Sequence, residues 1–189
     1  MKKNFNIILA SASPRRQELL RLILNEFTVC VSNVEEIIPE GLNTAKIPEY
    51  LANLKTTDVA KDYSDSVVIG ADTCVIIDGE VLGKPHSKDE AVAMLKKLSG
   101  KTHKVITGCS IMYGEIKDIF SVETEVEFFC LSESQIEEYV NSDEPYDKAG
   151  GYGIQSKGAL FVKKINGDYN NVVGFPVAEL NRRLENILK

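Results

Sequence analysis

The chain has 189 residues, 43% of them apolar and 26% charged, and a formal net charge of −6 from 22 basic and 28 acidic side chains. That length is enough for one generous domain with a substantial core, and the composition is that of a globular protein. The acidic balance argues against a nucleic-acid-coating surface. No apolar run approaches the roughly 18 residues that a membrane-spanning helix requires.

Met1-Lys2-Lys3-Asn4-Phe5-Asn6 carries two lysines but no apolar h-region or small-residue cleavage site, so no signal peptide is expected. From Phe5 to Ala10 the chain reads as a buried strand, and Leu19, Leu20 and Ile23 then give a helical stripe expected to fade near Asn25. Between them lies a small-residue turn, with Ser13 suited to the N-cap and Pro14 to the first helical position. Arg15 and Arg16 occupy the first helical turn, where the helix end is already partly positive and acidic residues are preferred. Two guanidiniums at that point, after a strand, form a phosphate-binding pattern.

Phe27 to Ser32 reads as a second strand, followed by Val34-Glu35-Glu36. A helix is expected from about Pro48 to Tyr63, with Leu51, Leu54 and Val59 as its stripe and Lys55 one turn beyond Leu51. Val67 to Ala71 is a continuous apolar strand expected to end at Asp72-Thr73, and the carboxyl ends of such strands build ligand crevices in open α/β sheets. Asp78-Gly79 between Cys74–Ile77 and Val81-Leu82 marks a hairpin, and Gly83-Lys84-Pro85 places a lysine in the loop that follows. Ser87-Lys88-Asp89-Glu90 has the form of a capping box, opening a helix that Ser99-Gly100 ends.

Two long antiparallel strands, Thr102 to Tyr113 and Ile116 to Phe129, are joined near Gly114. A second capping box at Ser132 and Gln135 begins a helix to about Val140. The glycine-rich stretch from Glu144 to Gln155 is too irregular for one element; Ala159 to Val162 reads as a strand and Asn166-Gly167 as a turn. Val172 to Pro176 then leads into a final amphipathic helix. Residues 1–189 thus read as a single α/β domain, its mixed, partly antiparallel sheet flanked by helices in two lobes around a central cleft.

Cys30, Cys74, Cys109 and Cys130 are widely spaced in apolar contexts, without a C-x-x-C pair. Buried free thiols in a reducing cytoplasm are expected. Ser99-Gly100-Lys101-Thr102 ends like a P-loop, but Leu95 stands where the earlier glycine is needed. Gly151 and Gly153 lack a third glycine, its place being taken by Ser156, so no dinucleotide fingerprint is present. What remains is a set suited to phosphoryl chemistry: Ser13, Arg15, Arg16, Lys55 and Lys84 for phosphate oxygens, Asp72 and Glu35 as carboxylates. An isolated aspartate is a weak base near neutral pH; a divalent cation (Mg²⁺ or Mn²⁺) held by Asp72 with Glu35 would remove that handicap.

Ala10-Ser11-Ala12-Ser13-Pro14-Arg15-Arg16, Val68-Ile69-Gly70-Ala71-Asp72-Thr73, Leu82-Gly83-Lys84-Pro85 and Asp147-Lys148-Ala149-Gly150-Gly151-Tyr152-Gly153-Ile154-Gln155 closely resemble the Maf proteins. These are nucleoside triphosphate pyrophosphatases once described as septum-formation inhibitors, with a possible tie to cell-division arrest. The resemblance runs nearly end to end. It implies an ITPase/Maf-like fold, Asp72 as general base, and phosphate or metal roles for Arg16, Glu35, Lys55 and Lys84. Arg15, Thr73 and Gln155 match the positions that mark the branch acting on dTTP and UTP. A cytoplasmic homodimer that takes a nucleoside triphosphate, without nucleic acid or membrane, is the corresponding expectation. Two other readings stay open at this point: a pyrophosphatase for noncanonical purines such as dITP or XTP, and a nucleotide-sensing regulator of cell division.

Overall fold

Strand β1 (Ile7–Leu9) is buried along its whole length and pairs in parallel with β2 (Thr28–Val29) on one side and with β3 (Val67–Ile77) on the other. These coordinates come from a computed structural model that describes residues 5–188, so the expectation drawn from the lysines at the very N-terminus lies outside them. Seven strands form one mixed sheet in the order β2–β1–β3–β5–β6–β7, with β4 (Glu80–Leu82) added antiparallel to β3; β5 is Thr102–Tyr113, β6 is Ile116–Phe128 and β7 is Val162–Asn166. Helices accompany the sheet throughout, as the sequence implied. By contact density the chain divides into two units, residues 5–72 with 107–122 and 174–188, and residues 73–106 with 123–173.

In the first unit, helix α1 (Pro14–Leu20) stops sooner than its apolar stripe implies. After Arg21 the chain tightens into i→i+3 bonds, Leu22 N–H to Leu19 O and Ile23 N–H to Leu20 O, and Leu22 is left exposed. The second strand also shrinks, to the exposed edge pair Thr28–Val29. Helix α2 (Ile47–Ala60) lies on β1 and β3 through Val59, which packs with Ile8, Ala10 and Val68. Two glycines permit the close approach of this helix. A Cβ at Gly70 would stand 2.2 Å from Thr56 Oγ1, and one at Gly108 would stand 2.2 Å from the Pro48 carbonyl carbon. The C-terminal helix α6 (Val177–Ile187) is tied to β6 by Arg183, which donates to Asp118 at 2.7 Å and lies over the Phe120 ring.

In the second unit, Asp78 and Gly79 both take positive φ and make the expected two-residue hairpin between β3 and β4. Helix α3 (Lys88–Leu98) is capped by Ser87, but only half of the expected box forms. The Glu90 carboxylate accepts from the His86 N–H at 2.7 Å instead of from Ser87. Gly100, at φ +70°, ends that helix as foreseen. The second box is complete, opening α4 (Glu133–Val140) with Ser132 and Gln135. The strand expected at Ala159 is displaced: Lys157–Phe161 forms 3₁₀ turns, β7 begins at Val162, and Leu160 points into solvent. A short helix, α5 (Tyr169–Val173), precedes the last segment. Of the cysteines, Cys74 and Cys109 are buried as expected and Cys30 is partly so. Cys130 is exposed, because β6 has already ended at Phe128.

An aromatic cluster fills this unit. Phe128 packs edge-on against His103 and Tyr152, with ring centroids 4.9 and 4.7 Å away. His103 Nε2 shares a 2.7 Å hydrogen bond with the Tyr152 hydroxyl, while its buried Nδ1 finds no partner among the described residues. Burial lowers the His103 pKa from 6.5 to about 4. Because the folded value lies below the unfolded one, the stability linked to this group is fully present above pH 6.5 and is lost as pH falls toward 4. The wild-type protein is therefore expected to lose about 3 kcal/mol more over that interval than a His103→Gln variant. Denaturant titrations of both proteins at stepped pH check this; parallel curves would contradict it.

Candidate active site

The turn that leaves β1 is shaped by two serines. Ser13 is extended and caps α1, its Oγ accepting from the Arg16 N–H at 3.5 Å, and Pro14 follows at the first helical position as expected. Ser11 is buried, and its Oγ accepts from the Ser13 N–H at 3.3 Å and from Arg16 Nη1 at 3.2 Å. Arg16 Nε donates to the Gly174 carbonyl at 3.0 Å. The guanidinium is thus steered by its own turn and by the start of the C-terminal segment. Burial lowers its pKa, and the attraction of Asp72 and Glu36 works against that, whereas Arg15 adds to it. An arginine stays charged at neutral pH all the same. Arg15, its neighbour, is half-buried.

Asp72 does not stand at a strand end. Strand β3 runs on from Val67 through Ile77, so Asp72 and Thr73 are the two partly exposed positions within an otherwise buried strand. The apolar stretches on either side are one strand because both flanks are buried in the sheet, a fact that the polar pair conceals in the sequence. By the period-two alternation of a strand, Asp72 shares the face of Gly70, on which α2 is packed. There Lys55 Nζ donates to Asp72 Oδ1 at 2.7 Å and pairs with Glu36 Oε2 at 2.9 Å. Lys55 therefore leaves the snorkelling pattern of an ordinary surface lysine and bridges two carboxylates.

Glu36, missing from the sequence-derived set, is the carboxylate that pairs with Lys55. The sequence offered two adjacent carboxylates after β2, and nothing local distinguishes them. Both are exposed; the Glu36 carboxylate pairs with Lys55, and the Glu35 carbonyl accepts from the Ile37 N–H at 3.0 Å. Ser11, which holds Arg16 Nη1, is also absent from the sequence-derived set; its place in the small-residue turn is the sequence signal for it. Arg16, Lys55, Glu36 and Asp72 thus come together within the first unit. Cys109 lies near Arg16 and Arg183, but burial pushes its thiol up to about 12 against the pull of both guanidiniums. It stays a protonated, inert thiol at neutral pH.

Anion-gripping cations beside a paired aspartate suit phosphoryl chemistry. The sequence profile of the Maf-like proteins matches residues 6–187. The chain belongs to the Maf-like family. A Bacillus velezensis relative named dTTP/UTP pyrophosphatase is 50% identical over 179 residues, which cover 95% of each chain. A Bacillus cereus relative of the same name is 51% identical over 185 residues, 98% of this chain and 95% of its own. Among solved structures, the Staphylococcus aureus Ham1 protein superposes with a TM-score of 0.61 at 18% identity, covering 96% of this chain and 99% of that one. A HAM1 protein from Coxiella burnetii does so with a TM-score of 0.53 at 16% identity, covering 97% of this chain and all of that one. At such identities the structural likeness establishes the fold alone.

In this Maf-like chain the remaining motif residues belong to the second unit. Thr73 follows Asp72 on β3 and is half-buried. Lys84 is exposed in the loop after β4. The glycine-rich segment is fastened to that loop: the Gly150 N–H donates to Gly83 O at 2.9 Å, and Gly151 packs on Pro85. Gln155 is exposed at the end of the segment, just after the buried run Gly151–Ile154.

Proposed function

We propose that the chain hydrolyses dTTP and UTP between the α and β phosphates, releasing the nucleoside monophosphate and pyrophosphate and so clearing nucleotide pools. The observation that carries this reading is the meeting of Lys55, Asp72 and Glu36 beside Arg16, in a chain half identical to proteins named for that activity. Asp72 takes the proton of the attacking water. The water oxygen bonds to the α phosphorus, and the bond to the β-phosphate bridge breaks with its electron pair on pyrophosphate. Arg15 and Arg16 grip the triphosphate, and Lys55 and Lys84 offset charge gathering on the leaving group. The grip rests on the guanidiniums more than on α1, whose seven residues make a weak dipole.

Two carboxylates, Asp72 and Glu36, converge on the single positive charge of Lys55. Among the described residues no group of three or more His, Cys, Asp or Glu side chains is placed to hold a metal ion. A two-carboxylate donor set fits Mg²⁺ or Mn²⁺ shared with phosphate oxygens and water, and does not fit an all-protein cage. When bound, such an ion would acidify water and neutralise phosphate charge. Glu36 supports that role better than Glu35.

Gln155 presents a carbonyl acceptor and an amide donor in one plane, complementary to the acceptor and N–H donor on the uracil or thymine edge. Thr73 and Arg15 complete the selectivity set by family resemblance. A homodimer and a cytoplasmic location belong to the same proposal. No helix of the described residues is long and apolar enough to cross a membrane, and the net charge of −6 disfavours nucleic acid as a partner. Sedimentation is expected to give twice the chain mass. The decisive assay incubates the protein with each nucleoside triphosphate and a divalent metal, detecting pyrophosphate and orthophosphate separately. Pyrophosphate from dTTP and UTP is the expected result; orthophosphate as first product, or preference for dITP or XTP, would overturn it.

A further inference from the structure

The exposed Gln155 sits on a short loop that the Glu144 carboxylate holds directly on its C-terminal side and, through the Tyr139 hydroxyl, on its N-terminal side. Glu144 Oε1 accepts from the Tyr139 hydroxyl at 3.0 Å, from the Ser156 hydroxyl, and from the Gly158 N–H at 3.2 Å. Its Oε2 accepts from the Lys157 N–H at 3.3 Å. The Tyr139 hydroxyl, while donating to Glu144, accepts from the Gly153 N–H at 3.0 Å. Gly153 precedes Gln155 by two residues, and Ser156 to Gly158 follow it directly. The loop also closes on itself: a Cβ at Gly158 would meet the Gly153 carbonyl oxygen at 2.6 Å and the Tyr139 hydroxyl at 3.0 Å. Farther back, Tyr152 is held by His103 at 2.7 Å. Gly153, Ser156, Lys157 and Gly158 are thereby held around Gln155, which is itself exposed.

Nothing in the reaction uses Glu144, yet four donors are spent on it. We propose that Glu144 is a positioning residue for base recognition: directly and through Tyr139, it holds the Gln155 loop so that the amide meets the pyrimidine edge. This rests on the reading of Gln155 as the base-reading side chain. Burial tends to raise the Glu144 pKa, but the bonds from Ser156, Gly158, Tyr139 and Lys157 outweigh it, so the group is lowered and accepts as a carboxylate at neutral pH. Burial pushes the Tyr139 phenol up, which keeps it a donor to Glu144. A rigid support for a reading group lowers the ordering cost of binding.

Glu144→Gln keeps the shape but turns one acceptor oxygen into an amide donor facing groups that themselves donate. The expected result is a KM for UTP raised about 10-fold with kcat within about 3-fold, and a matching loss of affinity for an α,β-imido UTP analogue in calorimetry. In a Gln155→Ala background, which itself raises KM, Glu144→Gln is expected to add less than about 2-fold. A wild-type KM for Glu144→Gln, an equal loss of kcat and kcat/KM, or a full additional effect in the Gln155→Ala background would overturn the proposal. If Gln155→Ala alone leaves KM and analogue binding unchanged, the reading of Gln155 has failed and the proposal falls with it, a result distinct from the failure of Glu144→Gln alone. Should Glu144→Gln not fold, Tyr139→Phe removes the relay hydroxyl without altering charge and faces the same criteria.

Discussion

Replacing Asp72 with asparagine is expected to lower kcat for dTTP by about 1000-fold or more while the protein still folds. A positioned general base contributes roughly 100- to 10,000-fold, and an asparagine amide cannot take the proton of the attacking water. A 1000-fold loss corresponds to about 4 kcal/mol of transition-state stabilisation. Folding is expected to survive because Lys55 keeps a second carboxylate, Glu36 at 2.9 Å, and is not left as an unpaired charge. Because Arg15 and Arg16 remain, binding of a non-hydrolysable analogue should change far less than turnover. Single-turnover kinetics and thermal unfolding check the two halves of the statement. Turnover near the wild-type level would remove Asp72 as the base, whereas a collapsed fold would show its pairing with Lys55 to be chiefly structural.

The second large effect is expected at Arg16. Its Nε and Nη1 are already committed to Gly174 O and Ser11 Oγ, so the guanidinium is held at a set angle beside Asp72 and Glu36. A lysine keeps the charge but has neither the planar fork nor the reach to keep both contacts while facing a phosphate. Arg16→Lys is therefore expected to lower kcat/KM for dTTP about 100-fold, and Arg16→Ala about 1000-fold, with the larger part in KM. Arg16→Ala also leaves the Gly174 carbonyl without that donor, and a stability loss of about 1–2 kcal/mol should accompany it. Steady-state kinetics with denaturant melts separates the two contributions. Unchanged kcat/KM in Arg16→Ala would place the triphosphate elsewhere.

Much of the fold was legible because the signals are local. Ser13 and Pro14 fix the start of α1, Ser132 and Gln135 that of α4, and Asp78-Gly79 the hairpin. Each depends on residues no more than four apart. Other details are not carried by apolar periodicity. After Leu20 the chain goes over to i→i+3 bonds, Glu90 accepts from the His86 N–H and not from Ser87, and β7 begins only after the 3₁₀ turns of Lys157–Phe161. At the site, sequence pattern and resemblance picked out Arg16, Lys55 and Asp72, and these do come together. They could not separate Glu35 from Glu36, because adjacent carboxylates in a loop differ only in where the backbone points them.

Taken by itself, the sequence determined the α/β order of elements, the serine–proline turn with its arginine pair, and membership of the Maf-like family, since caps, turns and motifs are written in contiguous residues. Tertiary structure alone decided that β3 passes through Asp72, that Lys55 bridges Asp72 and Glu36, and that Glu144 clamps the loop of Gln155. Those outcomes depend on how near two segments distant in the chain can approach. Gly70 shows the reason most directly: only a residue without a Cβ lets α2 lie against β3, and that closeness brings Lys55 to the aspartate.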